Sequence, residues 1–238
     1  MKLCVIPARG GSKRIPRKNI RPFAGRPMLA HSIKAARDCG LFDHIVVSTD
    51  DEEIAEVAVT NGAEIPFMRP KALADDYTGT NAVARHAIEW FELAGKPVAH
   101  ACCVYATAPF LRAADLRAGY EKLVASGKAF VFAATRYAFP IQRAIRLNER
   151  GEVEAMFPEH IFSRSQDLVP AFHDAGQFYW GTARAYLDEV STFSPDALIV
   201  ELPHYRVQDI DTEDDWESAE LMFRLLQDRE KRAAGDQP

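Results

Sequence analysis

The sequence predicts an α/β fold built on a mostly parallel sheet. Three observations carry the prediction. Short apolar runs alternate with amphipathic patterns of helical period through the first 134 residues, the rhythm of βαβ units. A glycine pair follows the first apolar run directly, and open α/β sheets bind their ligands at the carboxyl ends of strands. The chain has 238 residues, 47% of them apolar and 26% charged. That is enough to bury a core without disulfide or metal staples, and it excludes disordered and fibrous classes.

Each element follows from local pattern. Residues 2–6 read as a strand, and residues 27–37 as a helix with Leu29, Ile33 and Ala36 on one face. Residues 44–48 form the next strand. Asp50 is expected to cap a helix, with Glu53 completing a capping box before Ile54, Val57 and Ala58. Residues 63–67 read as a short strand. Thr80 or Asn81 is expected to cap a helix whose face is Val83, Ala87, Trp90, Phe91 and Ala94. Residues 98–104 and 129–134 are strand-like, with a helix between them marked by Leu116, Tyr120, Leu123 and Val124.

The rhythm breaks over residues 139–172. Alternating stretches at 142–147 and 153–157 flank Glu149, Arg150 and Gly151, which reads as a hairpin. This segment is expected to be an arm inserted in a single domain spanning 1–238. Residues 177–180 and 197–201 return to the sheet. A last helix begins near Thr212 with Trp216, Ala219, Phe223 and Leu226 at helical spacing, and the polar stretch 231–238 reads as a frayed tail.

Charge is unevenly spread. The net charge is −5, yet residues 9–26 hold seven cations (Arg9, Lys13, Arg14, Arg17, Lys18, Arg21, Arg26) and no acid. The rest of the chain has 22 cations against 34 acids, a balance of −12. An anionic ligand is expected at the basic segment. Gly10 and Gly11 let backbone N–H groups converge on a ligand, and the surrounding Arg and Lys suit a polyphosphate. The spacing is neither the G-x-x-x-x-G-K-[ST] loop nor G-x-G-x-x-G, which disfavours kinase, GTPase and dehydrogenase chemistry. A nucleic-acid binder usually has a basic face wider than one loop.

Other classes fall away on simple grounds. The longest purely apolar runs, 101–106 and 129–134, have six residues, against roughly 18 for a membrane-spanning helix. No secretory h-region opens the chain, so a cytoplasmic location is expected. Cys4, Cys39, Cys102 and Cys103 include no C-x-x-C pair and read as small buried hydrophobes.

The segment Ile6-Pro7-Ala8-Arg9-Gly10-Gly11-Ser12-Lys13 with Lys18-Asn19 resembles the signature of cytidylyltransferases that activate nonulosonic acids. The resemblance continues through Arg69-Pro70, Ala106-Thr107-Ala108-Pro109, Ser165-Gln166-Asp167 and Asp209-Ile210-Asp211-Thr212. It implies a Rossmann-like three-layer sheet of the nucleotide-diphospho-sugar transferase type. It also implies a homodimer in which the arm serves dimerisation and reaches across the partner's site.

Site residues follow partly from chemistry and partly from this resemblance. Ala8, Arg9, Gly10, Gly11, Ser12, Lys18 and Asn19 would bind the nucleotide, with Arg69 and Thr80 carried over from the family. Asp209 and Asp211 are two carboxylates at i, i+2. In an extended segment they point the same way while Ile210 faces the core. Mg²⁺ takes one or two carboxylates plus substrate oxygens, and the resemblance assigns these two to the metal. Acids in the following turn suit a helix dipole.

For the sugar, Tyr105 stands where sialate enzymes have Gln. The stretches 139–144 and 172–180 resemble the pseudaminate cytidylyltransferases instead. Arg143, Arg164, Gln166, Phe178 and Tyr179 are the candidate contacts for a nine-carbon 2-keto sugar acid. The expected reaction is transfer of CMP from CTP to the anomeric hydroxyl of pseudaminic acid, giving CMP-pseudaminic acid and pyrophosphate for surface or flagellar glycans. Arg9, Lys18 and Asp211 would be catalytic and Mg²⁺ the cofactor. Alternatives are sialate, legionaminate or KDO as the sugar. A different class, a non-catalytic nucleotide- or RNA-binding protein, is disfavoured because paired aspartates repel a bare phosphate backbone.

Overall fold

Strand β1 (Lys2–Pro7) lies inside a six-stranded sheet and alternates its side chains between two cores. The computed structural model describes residues 1–235. The remaining elements follow in chain order. A small pair, β2 (Pro22–Phe23) and β3 (Arg26–Pro27), precedes α1 (Met28–Cys39), β4 (His44–Ser48) and α2 (Glu52–Thr60). Then come α3 (Thr80–Leu93), β5 (His100–Val104), α4 (Ala113–Ser126) and β6 (Phe130–Arg136). The hairpin β7 (Ile145–Leu147) and β8 (Val153–Ala155) leads to β9 (Phe172–Thr182), α5 (Ala183–Leu187), β10 (Ala197–Glu201) and α6 (Glu213–Gly235).

The main sheet has the order β10-β6-β9-β5-β1-β4. β1 runs parallel to β4 and β5, and β10 parallel to β6. β9 alone runs antiparallel, wedged between β5 and β6. Cys4 and Ile6 face a core shared with Leu29 and Ile33 of α1, Ile54 of α2 and Leu116 of α4. Leu3 and Val5 face Val83, Ala87 and Phe91 of α3 and Tyr186 of α5. Helices on both faces make a three-layer α/β/α arrangement. Close packing explains one glycine: a Cβ on Gly119 of α4 would lie 2.7 Å from the Phe178 ring of β9.

A third cluster joins the basic segment to the start of the last helix. Ile15 and Phe23 from the basic segment pack with Ile210, Trp216 and Ala219 at the start of α6. The two charged stretches, nearly 200 residues apart in sequence, are thereby fastened to one another.

Several expectations are corrected. The cap of α2 is Asp51, whose Oδ1 accepts from the Ile54 amide at 3.0 Å; Asp50 instead takes the Gly10 amide at 3.0 Å. Thr80 is the first helical residue of α3 and Gly79 the cap, with no side-chain capping bond. Residues 63–67 form only an isolated bridge, Val46 to Glu64, since Pro66 lacks the N–H needed to continue a ladder. The helix α6 runs through Lys231 to Gly235, where fraying was expected; residues 236–238 lie outside the described residues. The expected hairpin is present: β7 and β8 pair antiparallel as their own two-stranded sheet, turned by Gly151 at φ +78°.

Candidate active site

Two cavities open beside one another at the carboxyl ends of β1, β4 and β5. The first, about 470 Å³, is lined by Arg9, Ser12, Lys13, Arg14, Lys18 and Asn19 of the basic loop, by Arg69, Thr78 and Thr80, and by Asp211. The second, about 550 Å³, is lined by Thr107, His173, Asp174, Gly176, Gln208 and Asp209. Tyr105 borders both. The two aspartates therefore straddle the boundary between them.

The loop is held from several directions. Asn19 Nδ2 donates to the Arg9 carbonyl at 2.9 Å, and the Ser12 amide bonds the Gly10 carbonyl at 3.0 Å. A Cβ on Gly10 would meet Asp51 Oδ2 at 2.8 Å, so a side chain there would press on the α2 cap. Arg17 occupies the left-handed region at φ +56°, an uncommon place for a residue with a long side chain. Its guanidinium is fixed on Asp51 at 2.5 Å and on Glu53. The bond to Asp51 holds that carboxyl below the usual carboxylate range.

Four of the seven clustered cations, Arg9, Lys13, Arg14 and Lys18, face the first cavity. The other three turn elsewhere. Arg17 is committed to α2, and Arg21 to Glu213 at 2.7 Å and to the Trp216 ring at 4.5 Å; Arg26 does not line the cavity. The four facing cations are themselves paired with acids. Arg9 bonds Asp76 at 2.6 Å and Lys13 bonds the other Asp76 oxygen. Arg14 contacts Asp211 at 2.8 Å, and Lys18 reaches Asp211 Oδ1 at 3.2 Å and the Ile210 carbonyl at 2.5 Å.

Arg69 is buried beneath the end of β4, where Nε donates to Ser48 Oγ at 3.1 Å and Nη2 to the Ser48 carbonyl. Burial lowers its pKa to about 10, so it stays charged at neutral pH. Ile210 is buried while Asp209 and Asp211 reach the cavities, as the i, i+2 spacing requires. Asp209 has no ion-pair partner among the described residues. Desolvation, then repulsion from Asp211, raises its carboxyl pKa. A cation bound there would relieve both costs, and two carboxylates open to substrate oxygens form a donor set suited to Mg²⁺. Among the described residues no three metal-ligating side chains cluster, and water or substrate oxygens would complete the shell of an ion held by one or two carboxylates.

Ala8 is core, 1% exposed, and contributes backbone only; its amide bonds the Ser48 carbonyl at 2.9 Å. Gly11 is open, with no atom within 4 Å of where a Cβ would lie. Tyr179 packs against Tyr105, ring centroids 5.5 Å apart. Phe178, expected at the sugar, is fully buried on the α4 side of the sheet. Adjacent strand residues face opposite ways; Tyr179, on the α3 side, is also core and lines neither cavity, so neither of the two expected aromatic contacts reaches the sugar pocket directly. Arg143, Arg164 and Gln166 line neither cavity. They lie on the arm segment, where Arg164 bonds Asp167 at 2.7 Å and Arg143 Nη1 reaches Ser165 Oγ at 3.4 Å. Sequence reasoning placed Arg14 only within the basic segment at large, and it missed Asp76 and Asp174. Asp75-Asp76 beside a basic loop was the available signal for Asp76; nothing in local sequence distinguished Asp174.

Comparison with known proteins gives a consistent picture. A family model described as cytidylyltransferase matches residues 3–193. A pseudaminic acid cytidylyltransferase of Campylobacter jejuni is 49% identical over 223 residues, 94% of this chain and 96% of its own. A CMP-N,N'-diacetyllegionaminic acid synthase of Legionella pneumophila is 32% identical, covering 95% of this chain and 97% of its own. Among solved structures, a CMP:2-keto-3-deoxy-manno-octonic acid synthetase complexed with CTP superposes with a TM-score of 0.67 at 14% identity, over 94% of this chain and 98% of that one. That last likeness concerns the fold.

Proposed function

The chain belongs to the cytidylyltransferase family, and on that footing we propose that it transfers CMP from CTP to the anomeric hydroxyl of pseudaminic acid, releasing pyrophosphate. The observation that carries the reading is 49% identity, over 94% of the chain, to a relative bearing that activity in its name. The two cavities support it: a cation-lined one for the triphosphate and a neighbouring one for the acceptor, with aspartates between them.

In this reading the Gly10–Gly11 backbone, the Ser12 hydroxyl and Arg9 receive the phosphates, while Arg69 and Thr80 hold the nucleoside end. Arriving triphosphate takes Arg9 and Lys13 from Asp76, and Arg14 and Lys18 from Asp211. Asp211 is thereby freed to act with Asp209. These two would hold Mg²⁺, which when bound neutralises charge on the departing pyrophosphate and polarises the α-phosphate. Tyr105, between the cavities, orients the acceptor hydroxyl for in-line attack on the α-phosphorus. No covalent intermediate is needed. The four cysteines are buried free thiols, which suits a reducing, cytoplasmic setting, and no described helix is long and apolar enough to cross a membrane.

We also propose a homodimer. The arm exposes Phe139 (83%), Leu147 (67%) and Phe162 (97%), a density of apolar surface that marks interaction sites. A second copy seated there would bring Arg143, Arg164 and Gln166 toward an acceptor cavity. The proposed reaction is tested by pyrophosphate release from CTP and Mg²⁺ with pseudaminic acid. Release at enzyme turnover is expected, with at least a roughly hundredfold loss in Asp211→Asn and CTP affinity within a few fold. No release from the wild type would overturn it.

A further inference from the structure

The acceptor cavity contains a carboxylate that the framework fixes from several sides. Strand β9 pairs Tyr179 with Phe132 and Asp174 with Ala134 on β6. Five steps along β9 thus match two along β6, and residues 175–177 bulge out of the ladder. Such irregularities re-aim side chains and recur beside active sites. Gly176, at φ +59°, makes this turn against the Tyr105 ring, 3.8 Å from where a Cβ would lie. The base of the bulge is tied on both sides. The Tyr105 amide bonds the Gln177 carbonyl at 2.9 Å, and Gln177 Nε2 donates to the Arg206 carbonyl at 2.6 Å.

Asp174 stands at the start of this bulge with both oxygens engaged. Oδ1 accepts from the Gly176 amide at 2.9 Å, and Oδ2 accepts from the Tyr179 hydroxyl. The Tyr179 phenol is pushed well up by burial, so it remains a donor at any physiological pH. Two framework donors therefore hold the carboxylate, and a carboxylate has about four acceptor sites. The rest are available to the cavity, where Asp174 shares the lining with His173, Gln208 and Asp209.

We propose that Asp174 selects the acceptor and, together with Tyr105, orients it, by accepting a hydrogen bond from an amide N–H or hydroxyl of the sugar acid. The proposal rests on the reaction assigned above. A fixed carboxylate can only accept, so it turns a donor-bearing edge of the sugar toward the bulge. It also repels the sugar's own carboxylate, which must then point toward the cationic side of the site. A site built around such a half-buried acceptor disfavours molecules lacking the donor, since the bond from the sugar to a charged acceptor would be missing. Tyr179 is a positioning residue in this scheme: it touches Asp174 and acts on the sugar through it.

The test is steady-state kinetics of Asp174→Asn and Tyr179→Phe with CTP, Mg²⁺ and pseudaminic acid, alongside calorimetric CTP binding. Asp174→Asn should lower kcat/KM for the sugar by roughly 10- to 100-fold, seen mainly as a higher sugar KM, because a hydrogen bond to a charged acceptor is lost. Tyr179→Phe should show a smaller loss of the same kind. CTP affinity should match the wild type in both. An Asp174→Asn enzyme with wild-type sugar kcat/KM would overturn the proposal, as would a parallel fall in CTP affinity, which marks a general structural role. A wild type inactive on pseudaminic acid but binding CTP would instead overturn the reaction assignment on which this rests.

Discussion

Replacing Asp115 by Asn weakens the ion pair that anchors the aspartate-bearing segment, at a residue whose Oδ2 also accepts from the Arg112 amide at 3.2 Å in the α4 cap. Arg206 lies three residues before Asp209, and its guanidinium pairs with Asp115 of α4 through two bonds of 2.6 and 3.1 Å. Both residues are buried, with 7% and 9% exposure. Gln177 holds the Arg206 carbonyl from the other side. An isosteric amide in place of Asp115 leaves a buried guanidinium without its counter-charge, at a cost of about 3–5 kcal/mol. For a domain of this size that lowers Tm by roughly 6–20 °C. Urea titration monitored by circular dichroism gives the free energy, with an unchanged m-value showing that the compact state is otherwise intact. The double variant Asp115→Leu with Arg206→Met, apolar on both sides, should recover part of the loss, because the pair's attraction is largely offset by desolvation while the α4 capping bond to the Arg112 amide is given up. A loss below about 1 kcal/mol in Asp115→Asn, or a double variant worse than the single, would show the reasoning wrong.

Two further outcomes follow from the charge network. Asp76→Asn frees Arg9 and Lys13 from a carboxylate that CTP must otherwise displace, so CTP should bind about two- to fivefold tighter by calorimetry; unchanged or weaker binding would show that Asp76 does not compete with the triphosphate. The Asp51 carboxyl is held below its ordinary value chiefly by the Arg17 hydrogen bond, so its contribution is present above the unfolded value of about 3.9 and fades as pH falls through the lower folded value. Arg17→Met should therefore flatten the fall in thermal stability between about pH 5 and pH 3; an unchanged slope would remove Asp51 as a source of that acid sensitivity.

What the sequence revealed and what it hid have a common physical basis. Elements with a clear period were legible: the β1 run, the α1 stripe of Leu29 and Ile33, and the hairpin turned at Gly151. The i, i+2 aspartates were legible for the same reason, because Ile210 between them declares which side is core. Caps were misplaced by one residue, as with Asp50 for Asp51, since adjacent acids offer equivalent oxygens and only the backbone angles choose between them. The face of Phe178 could not be fixed from an aromatic pair in a strand buried on both sides. Nor could the basic segment declare which cations turn toward the ligand; Arg17 and Arg21 are drawn away by Asp51 and Glu213, the latter almost 200 residues distant. The bulge that aims Asp174 is a register shift against β6, and register is a property of pairing between strands rather than of one strand's sequence.

The assignment of reaction and substrate meets its sharpest test in a competition. Equimolar pseudaminic acid and N-acetylneuraminic acid are offered together with limiting CTP and Mg²⁺, and the CMP-linked products are counted by mass spectrometry. CMP-pseudaminic acid should account for nearly all the product. A mixture dominated by CMP-N-acetylneuraminic acid would contradict the assignment.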